Sequence, residues 1–360
     1  MQTQIVVPSR SRKIYSWHEM PKKRQSIRAS SIAGVCGAVA GSKQAVSFNG
    51  DFAGLVSGAT VLTCFQPDRA MVEDSTLLQT SGSTAALTLS GTRSGSPTAI
   101  VVTCPTTGGA RGTWQGVVTY SDGSTQSFTS AATVALTGLG TGLTLNIATG
   151  TVATGNTWKA TMLSAADQGP GSKPWARSVV GSIARGGVIG VGPNGRTEVQ
   201  MNGTDQGIEC AITTISLPVY IYACFSATSK GSQQQFFSDG GGSSLIIDSP
   251  SGALNDVRQY NAFAQNAQTI VSGTRYRMTA LFRNGTGGND VLKFGSNSPQ
   301  STGNSGPTTP PAKLTAGFGG LGIVPSQINI GLLMYISGVP SNVAALDAAV
   351  ASYWSGGYAT

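Results

Sequence analysis

From Ala45 to about residue 165, apolar residues alternate with Ser, Thr and Gly over short runs such as AALTLSGT, AIVVTCPTT and GLTLNIATGTVATGNTWKATML. That is the period of strands with one face in a core and one in water, because successive side chains on a strand point to opposite faces. In TWQGVVTYSDGSTQSFTS the Ser121-Asp122-Gly123-Ser124 step predicts a hairpin, Asp-Gly tolerating positive φ at both central positions. Residues 164–178, SAADQGPGSKPWARS, contain two prolines and read as a linker. Beyond it the alternating runs lengthen, through GGVIGVG, TEVQMNG, IECAITTISLPVYIYACFSATS, SLIIDSP, YRMTALFRNG and DVLKFGS. Regular turns between such runs predict a β-sandwich of jelly-roll type. SNSPQSTGNSGPTTPPAKLT reads as one long exposed loop.

The end of the chain breaks this pattern. INIGLLMYI is apolar on both phases, as an inner strand must be, and SGVP then turns the chain. Ser341 is placed to cap a helix in which Val343, Leu346, Ala349, Val350, Tyr353 and Trp354 share one face. A helix there would cover apolar surface that two sheets leave open. The predicted fold is all-β: an extended basic arm at 1–45, a small β-sandwich-like domain at 46–165, a linker at 166–178 and a jelly-roll sandwich at 179–360.

This ending resembles the laminin-G and concanavalin-A-like jelly rolls through Leu332, Leu333, Tyr335, Ser341, Leu346 and Tyr353. YRMTALFRNGTGGNDVLKFGS looks like the family's strand pair, and the resemblance spans about residues 170–358. It implies a lectin-like sandwich. Separately, GTWQGVVTYSDGS with GNTWKATM resembles small β domains of bacteriophage tail and surface proteins.

Composition sharpens the picture. Charged residues make up 11% of the chain, roughly half the usual share, and glycine reaches 49 residues. The net charge of +8 is concentrated: the first thirty residues hold Arg10, Arg12, Lys13, Lys22, Lys23, Arg24 and Arg28 against Glu19 alone, a net of +6. The body is therefore almost neutral, and the first segment reads as an anchoring arm. Such an arm, with Tyr15 and Trp17 interleaved, could neutralise phosphates and stack on bases, dock on an acidic protein, or stay solvated. Docking on other virion proteins of the capsid, neck or tail is the favoured expectation, with nucleic acid the lesser one.

KKRQSIRASSIAGVCGAVAGS imitates a signal peptide, but its apolar stretch is Gly-rich and starts some thirty residues late. No stretch approaches the ~20 apolar residues of a membrane span. Cys36, Cys64, Cys104, Cys210 and Cys224 are odd in number, form no Cys-x-x-Cys pair and sit in strand-like contexts. They read as buried free thiols folded in a reducing host cytoplasm.

Candidate chemistry is sparse. Glycosidases on jelly rolls place alternating carboxylates on one strand, and no Glu-x-Asp-x-Glu triplet is present. His18, the single histidine, lies in the basic arm, away from any acid–base constellation in the body. GGVIGVGPNG lacks the trailing Lys-Ser of a phosphate loop. These absences lead to the expectation of a protein that is not an enzyme and carries no metal or cofactor. For glycan contact the candidates are Asp239 in SDGGGSS, Tyr260, and Asn289 with Asp290 in TGGND. The sequence reading is thus an oligomeric bacteriophage virion protein that stabilises the shell or touches host glycans. A free carbohydrate-binding module or adhesin is the alternative.

Overall fold

Every residue of strand Val219–Ala227 is buried, and only a strand covered on both faces can be so. In the computed structural model it belongs to a seven-stranded antiparallel sheet. The order is Val188–Val191, Thr197–Gln200, Ile328–Ser337, Val219–Ala227, Arg275–Phe282 and Val291–Phe294, with Thr60–Phe65 also paired to Ile328–Ser337. A ten-stranded sheet runs from Met71–Glu73 through Met162–Ala165, Trp175–Val180, Ile208–Ala211, Lys313–Ala316, Gln234–Ser238, Ser243–Asp248 and Asp256–Asn261 to Ala264–Thr269. Ile183–Arg185 pairs off this path with Trp175–Val180. Between the two sheets Phe225 stacks on Phe236 with ring centroids 4.5 Å apart, and Phe237 meets Tyr335 at 5.7 Å. The fold is an all-β sandwich with a short C-terminal helix.

The structure describes residues 51–358 except 70, 80–81, 95–97, 171–172, 181–182, 213–217, 229–233, 239–242, 249–255, 262–263, 284–287, 296, 302–312 and 318–325. Before residue 51 it describes two short strands, Ile5–Val6 and Ile14–Tyr15, which pair antiparallel. Among the described residues no helix is long and apolar enough to cross a membrane.

Strand pairing redraws the expected domain borders. Glu73 and Met162 are partners in the ten-stranded sheet, and the chain between them builds an insert. The insert has a five-stranded sheet, a three-stranded sheet (Thr133–Ala135, Leu143–Ile147, Leu87–Gly91) and a two-stranded ribbon. The five strands, in order, are Thr125–Thr129, Gln115–Tyr120, Ile100–Thr103, Thr157–Lys159 and Leu78–Gln79. Thr60–Phe65 and Met71–Glu73, expected in the middle domain, are instead strands of the large sheets, and Asp51–Thr360 forms one compact unit. Alternation reports which face of a strand is buried but not which partner covers it.

The expected hairpin forms between Gln115–Tyr120 and Thr125–Thr129. Gly123 takes a φ of 82°, and Asp122 accepts from the Ser124 N–H (2.9 Å) and hydroxyl (2.6 Å). Those bonds hold the Asp122 carboxyl below its usual range. Opposite Phe128 in this pair stands Gly116, and the Phe128 ring lies over it where any side chain would collide. Trp114 then stacks on Trp158 at 5.9 Å, both fully buried.

Two further segments differ from expectation. Lys313–Ala316, at the end of the predicted exposed loop, is a strand; Leu314 and Ala316 supply the alternation that its polar surroundings mask. The predicted linker is pinned down. Asp167 accepts from the backbone N–H groups of Cys64 (2.8 Å), Gly169 (2.7 Å) and Lys173 (3.2 Å), and Trp175 donates its indole N–H to Thr63 Oγ1 at 2.8 Å.

The outer face of the seven-stranded sheet carries Tyr222, Cys224, Leu332 and Met334, and these lie outside the main apolar core. Helix Val343–Tyr353 covers them, burying Leu346, Val350, Tyr353 and the following Trp354, the face the sequence predicts. Gly331 allows this approach, since a Cβ there would strike the Tyr358 hydroxyl and come within 2.9 Å of the Trp354 ring. The helix start differs in detail: Ser341 donates to Ser57 O (3.1 Å), while Asn342 accepts from Ser57 N–H (3.0 Å) and donates to Leu55 O (2.6 Å). Ser341 thus ties the helix to the first turn of the body, and no side-chain cap bond forms.

Polar locks close this layer. Arg277, 4% exposed, donates to Asp347 on the helix at 2.9 and 3.2 Å and to the Tyr358 carbonyl at 2.6 Å. Tyr222 adds a 2.6 Å hydrogen bond to Asp347. Fully buried Glu198 accepts from Arg275 at 3.0 and 3.2 Å and from the Tyr358 hydroxyl. The Arg196 guanidinium lies 3.4 Å over the Tyr353 ring, and the Tyr353 hydroxyl donates to Asp68. Four of the five cysteines, Cys64, Cys104, Cys210 and Cys224, are buried free thiols; burial pushes the Cys210 thiol up to about 11.

Candidate functional site

Where the insert leaves the ten-stranded sheet, the structure holds a cleft of about 550 Å³, within the size range of small-molecule sites. One wall is the connection Asp74–Gln79 and the floor is formed by Ala86, Trp158 and Thr161. Arg177 and Arg185 stand opposite, on Trp175–Val180 and its partner strand Ile183–Arg185.

Local bonding sets this geometry. The backbone N–H of Asp74 donates to Thr161 O (2.8 Å), which ties the exit strand to the return strand. Asp74 Oδ1 accepts from the Thr76 N–H at 3.1 Å, an Asx turn that orients the carboxylate. Its other oxygen pairs with Arg177. Arg185 pairs with Asp205, whose second oxygen accepts from Asn202 Nδ2 at 2.7 Å. Glu73 and Asp74, adjacent on an extended chain, point to opposite sides, as alternation on such a chain requires: Glu73 pairs with Arg93 in the insert, Asp74 with Arg177. Trp158 offers no exposed face, so the floor is wall rather than stacking platform.

Among the described residues, Arg177 and Arg185 each give one terminal nitrogen to a carboxylate and make no further protein hydrogen bond. Their side chains are 35% and 41% exposed. Two guanidiniums held in place with donors to spare line the cleft together with exposed Ser75 and Thr76. Chemically the cleft can orient a polar ligand by a fan of charged and neutral hydrogen bonds.

None of the residues singled out from sequence is among the described residues lining this cleft. Arg10, Arg12, Lys13, Lys22, Lys23, Arg24, Arg28 and Asp239 fall outside the described residues. Tyr260 lies on Asp256–Asn261 in the ten-stranded sheet, opposite Ser244. Asn289 is exposed just before Val291–Phe294 of the other sheet, so it and Tyr260 do not share a sheet. Asp290 is 1% exposed and accepts from the Arg283 N–H at 2.7 Å. Sequence does not single out Asp74, Arg177 and Arg185 because five separated segments build the cleft; the one local signal is the Asp-Ser-Thr step at 74–76.

No protein-family model and no curated protein sequence matches the chain. Solved structures do. An arabinofuranosidase complexed with arabinofuranosyl-alpha-1,2-xylobiose is 12% identical, covering 86% of this chain and 64% of its own at a TM-score of 0.43. A structure of botulinum neurotoxin type C, whose cell entry is described as dependent on interaction with two ganglioside molecules, is 10% identical over 54% and 51% of the two chains, TM-score 0.36. Trypanosoma rangeli sialidase is 10% identical over 52% and 31%, TM-score 0.34. The chain thus spans between about a third and two thirds of the length of these structures. The expectation of a protein that is not an enzyme is corrected by this finding, since similar structures include two glycosidases. Its physical basis was too narrow: a missing Glu-x-Asp-x-Glu strand excludes one arrangement of carboxylates, not carboxylates brought together from separate segments. At 10–12% identity these likenesses bring no substrate or mechanism to this chain.

Proposed function

We propose that this chain is a structural protein of a bacterial virus particle, docking on other virion proteins through its basic first segment and presenting the β-sandwich to host-surface glycans. The observation that carries this reading is the division of charge. Seven bases against one acid fall in the first thirty residues, and the other 330 residues carry only about +2. A concentrated charge makes a tether for an acidic surface, whereas the nearly neutral remainder exerts little long-range attraction of its own. The likeness of residues 112–162 to small domains of phage tail and surface proteins supports the particle context.

Deleting residues 1–30 tests the anchoring role. The truncated protein is expected to keep the far-ultraviolet circular dichroism of a folded β protein and to lose co-sedimentation with particles. Co-sedimentation equal to that of the full chain contradicts it.

A further inference from the structure

The geometry points to the cleft between the Asp74–Gln79 connection and the Arg177/Arg185 wall as the binding site for a carboxylate-bearing saccharide unit. This rests on the reading of the sandwich as a glycan-contacting body and gives that contact a place and a chemical class.

Four observations converge. First, each guanidinium lining the cleft spends one terminal nitrogen on its ion pair, Arg177 with Asp74 and Arg185 with Asp205, and keeps its other N–H donors. Second, both guanidiniums are already oriented by ion pairs, so little side-chain freedom is lost when their remaining donors engage a ligand. Third, a guanidinium offers parallel N–H groups in a plane, which match the two oxygens of a carboxylate. Fourth, exposed Ser75 and Thr76 add hydroxyls, each both donor and acceptor, the complement of a sugar's ring hydroxyls. The volume of about 550 Å³ accommodates a small saccharide rather than a lone ion. With Trp158 fully buried, polar contacts must supply the recognition. Binding should accordingly weaken with salt.

The test is isothermal titration of the full chain with a glucuronic-acid-containing oligosaccharide, with the methyl ester of the same oligosaccharide, and with inorganic phosphate. The expected result is binding of the acid, about tenfold weaker binding of the ester, and no competition by millimolar phosphate. R177Q and R185Q should each weaken acid binding about tenfold. R177K, which keeps the charge but loses the planar fork, should recover only part of it. Both positions lie on an open wall, and an unchanged melting midpoint shows that the variants are folded; should R177Q fail to fold, R185Q carries the test. Equal binding of acid and ester, or binding indifferent to both arginine variants, overturns the inference while leaving glycan contact standing. Failure of every saccharide to bind overturns glycan contact as well, yet leaves the anchoring role to the co-sedimentation experiment.

Discussion

The inner core and the layer under the C-terminal helix are closed by different means. Inside, one apolar cluster runs without a break from Trp114 and Trp158 in the insert to Phe225 and Phe237 between the large sheets. Shape does the work there: stacked rings, a glycine under Phe128, alternating Val and Ile. Outside, Leu346, Val350 and Trp354 cover Tyr222 and Cys224, but the layer is fastened by Arg277–Asp347, Arg275–Glu198–Tyr358 and Arg196–Tyr353–Asp68. A helix of 11 residues is marginal on its own. It stays because buried Arg277 on the sheet holds its Asp347 carboxylate and Arg196 donates to its terminal Tyr353 carbonyl. The contrast teaches that a chain poor in charge spends several of its few ionic groups on one seam.

Four substitutions or conditions separate the two regimes. W158A should have the largest effect, about 3–5 kcal/mol, read as a shift in urea midpoint, since it empties the centre of the insert's floor. R277M should cost about 3 kcal/mol, toward the lower end for a broken buried pair; Asp347, being 34% exposed, regains water when its partner is gone. G331A should cost about 1–3 kcal/mol by pushing Tyr358 and Trp354 off the sheet, as overpacking does. Its near-ultraviolet signal from Trp354 should change while far-ultraviolet strand signal persists.

The smallest effect is acid loosening. Burial acts to raise the Asp347 carboxyl, but hydrogen bonds from Arg277 and Tyr222 and the Arg277 charge outweigh it and hold the group below its usual 3.8. A carboxyl depressed on folding stabilises the native state fully above about pH 4, and that stabilisation is lost as pH falls through the folded value. Melting midpoints of the wild type should therefore fall below pH 4 more steeply than those of D347N. Parallel slopes would show that this carboxylate is not the group responsible.

Much of the fold was legible because period-two alternation and the helical face of Leu346, Val350 and Tyr353 are local properties. Pairing was not local: Thr60–Phe65 joins Ile328–Ser337, and nothing in either run names the other. Met71–Glu73 and Met162–Ala165 hid the insertion for the same reason. Lys313–Ala316 was concealed by Pro, Thr and Gly around it. The cleft was the least legible feature, since Asp74, Trp158, Arg177 and Arg185 are ordinary residues until the chain returns to its own exit point.

The central claim, that an inner shape-packed core and an outer ion-fastened layer are separately secured, is tested most directly by residue-resolved amide hydrogen exchange on R277M. The account predicts lost protection at Leu346, Val350 and Trp354 with unchanged protection at Val102, Val118 and Trp158. A uniform fall in protection across both sets would contradict it.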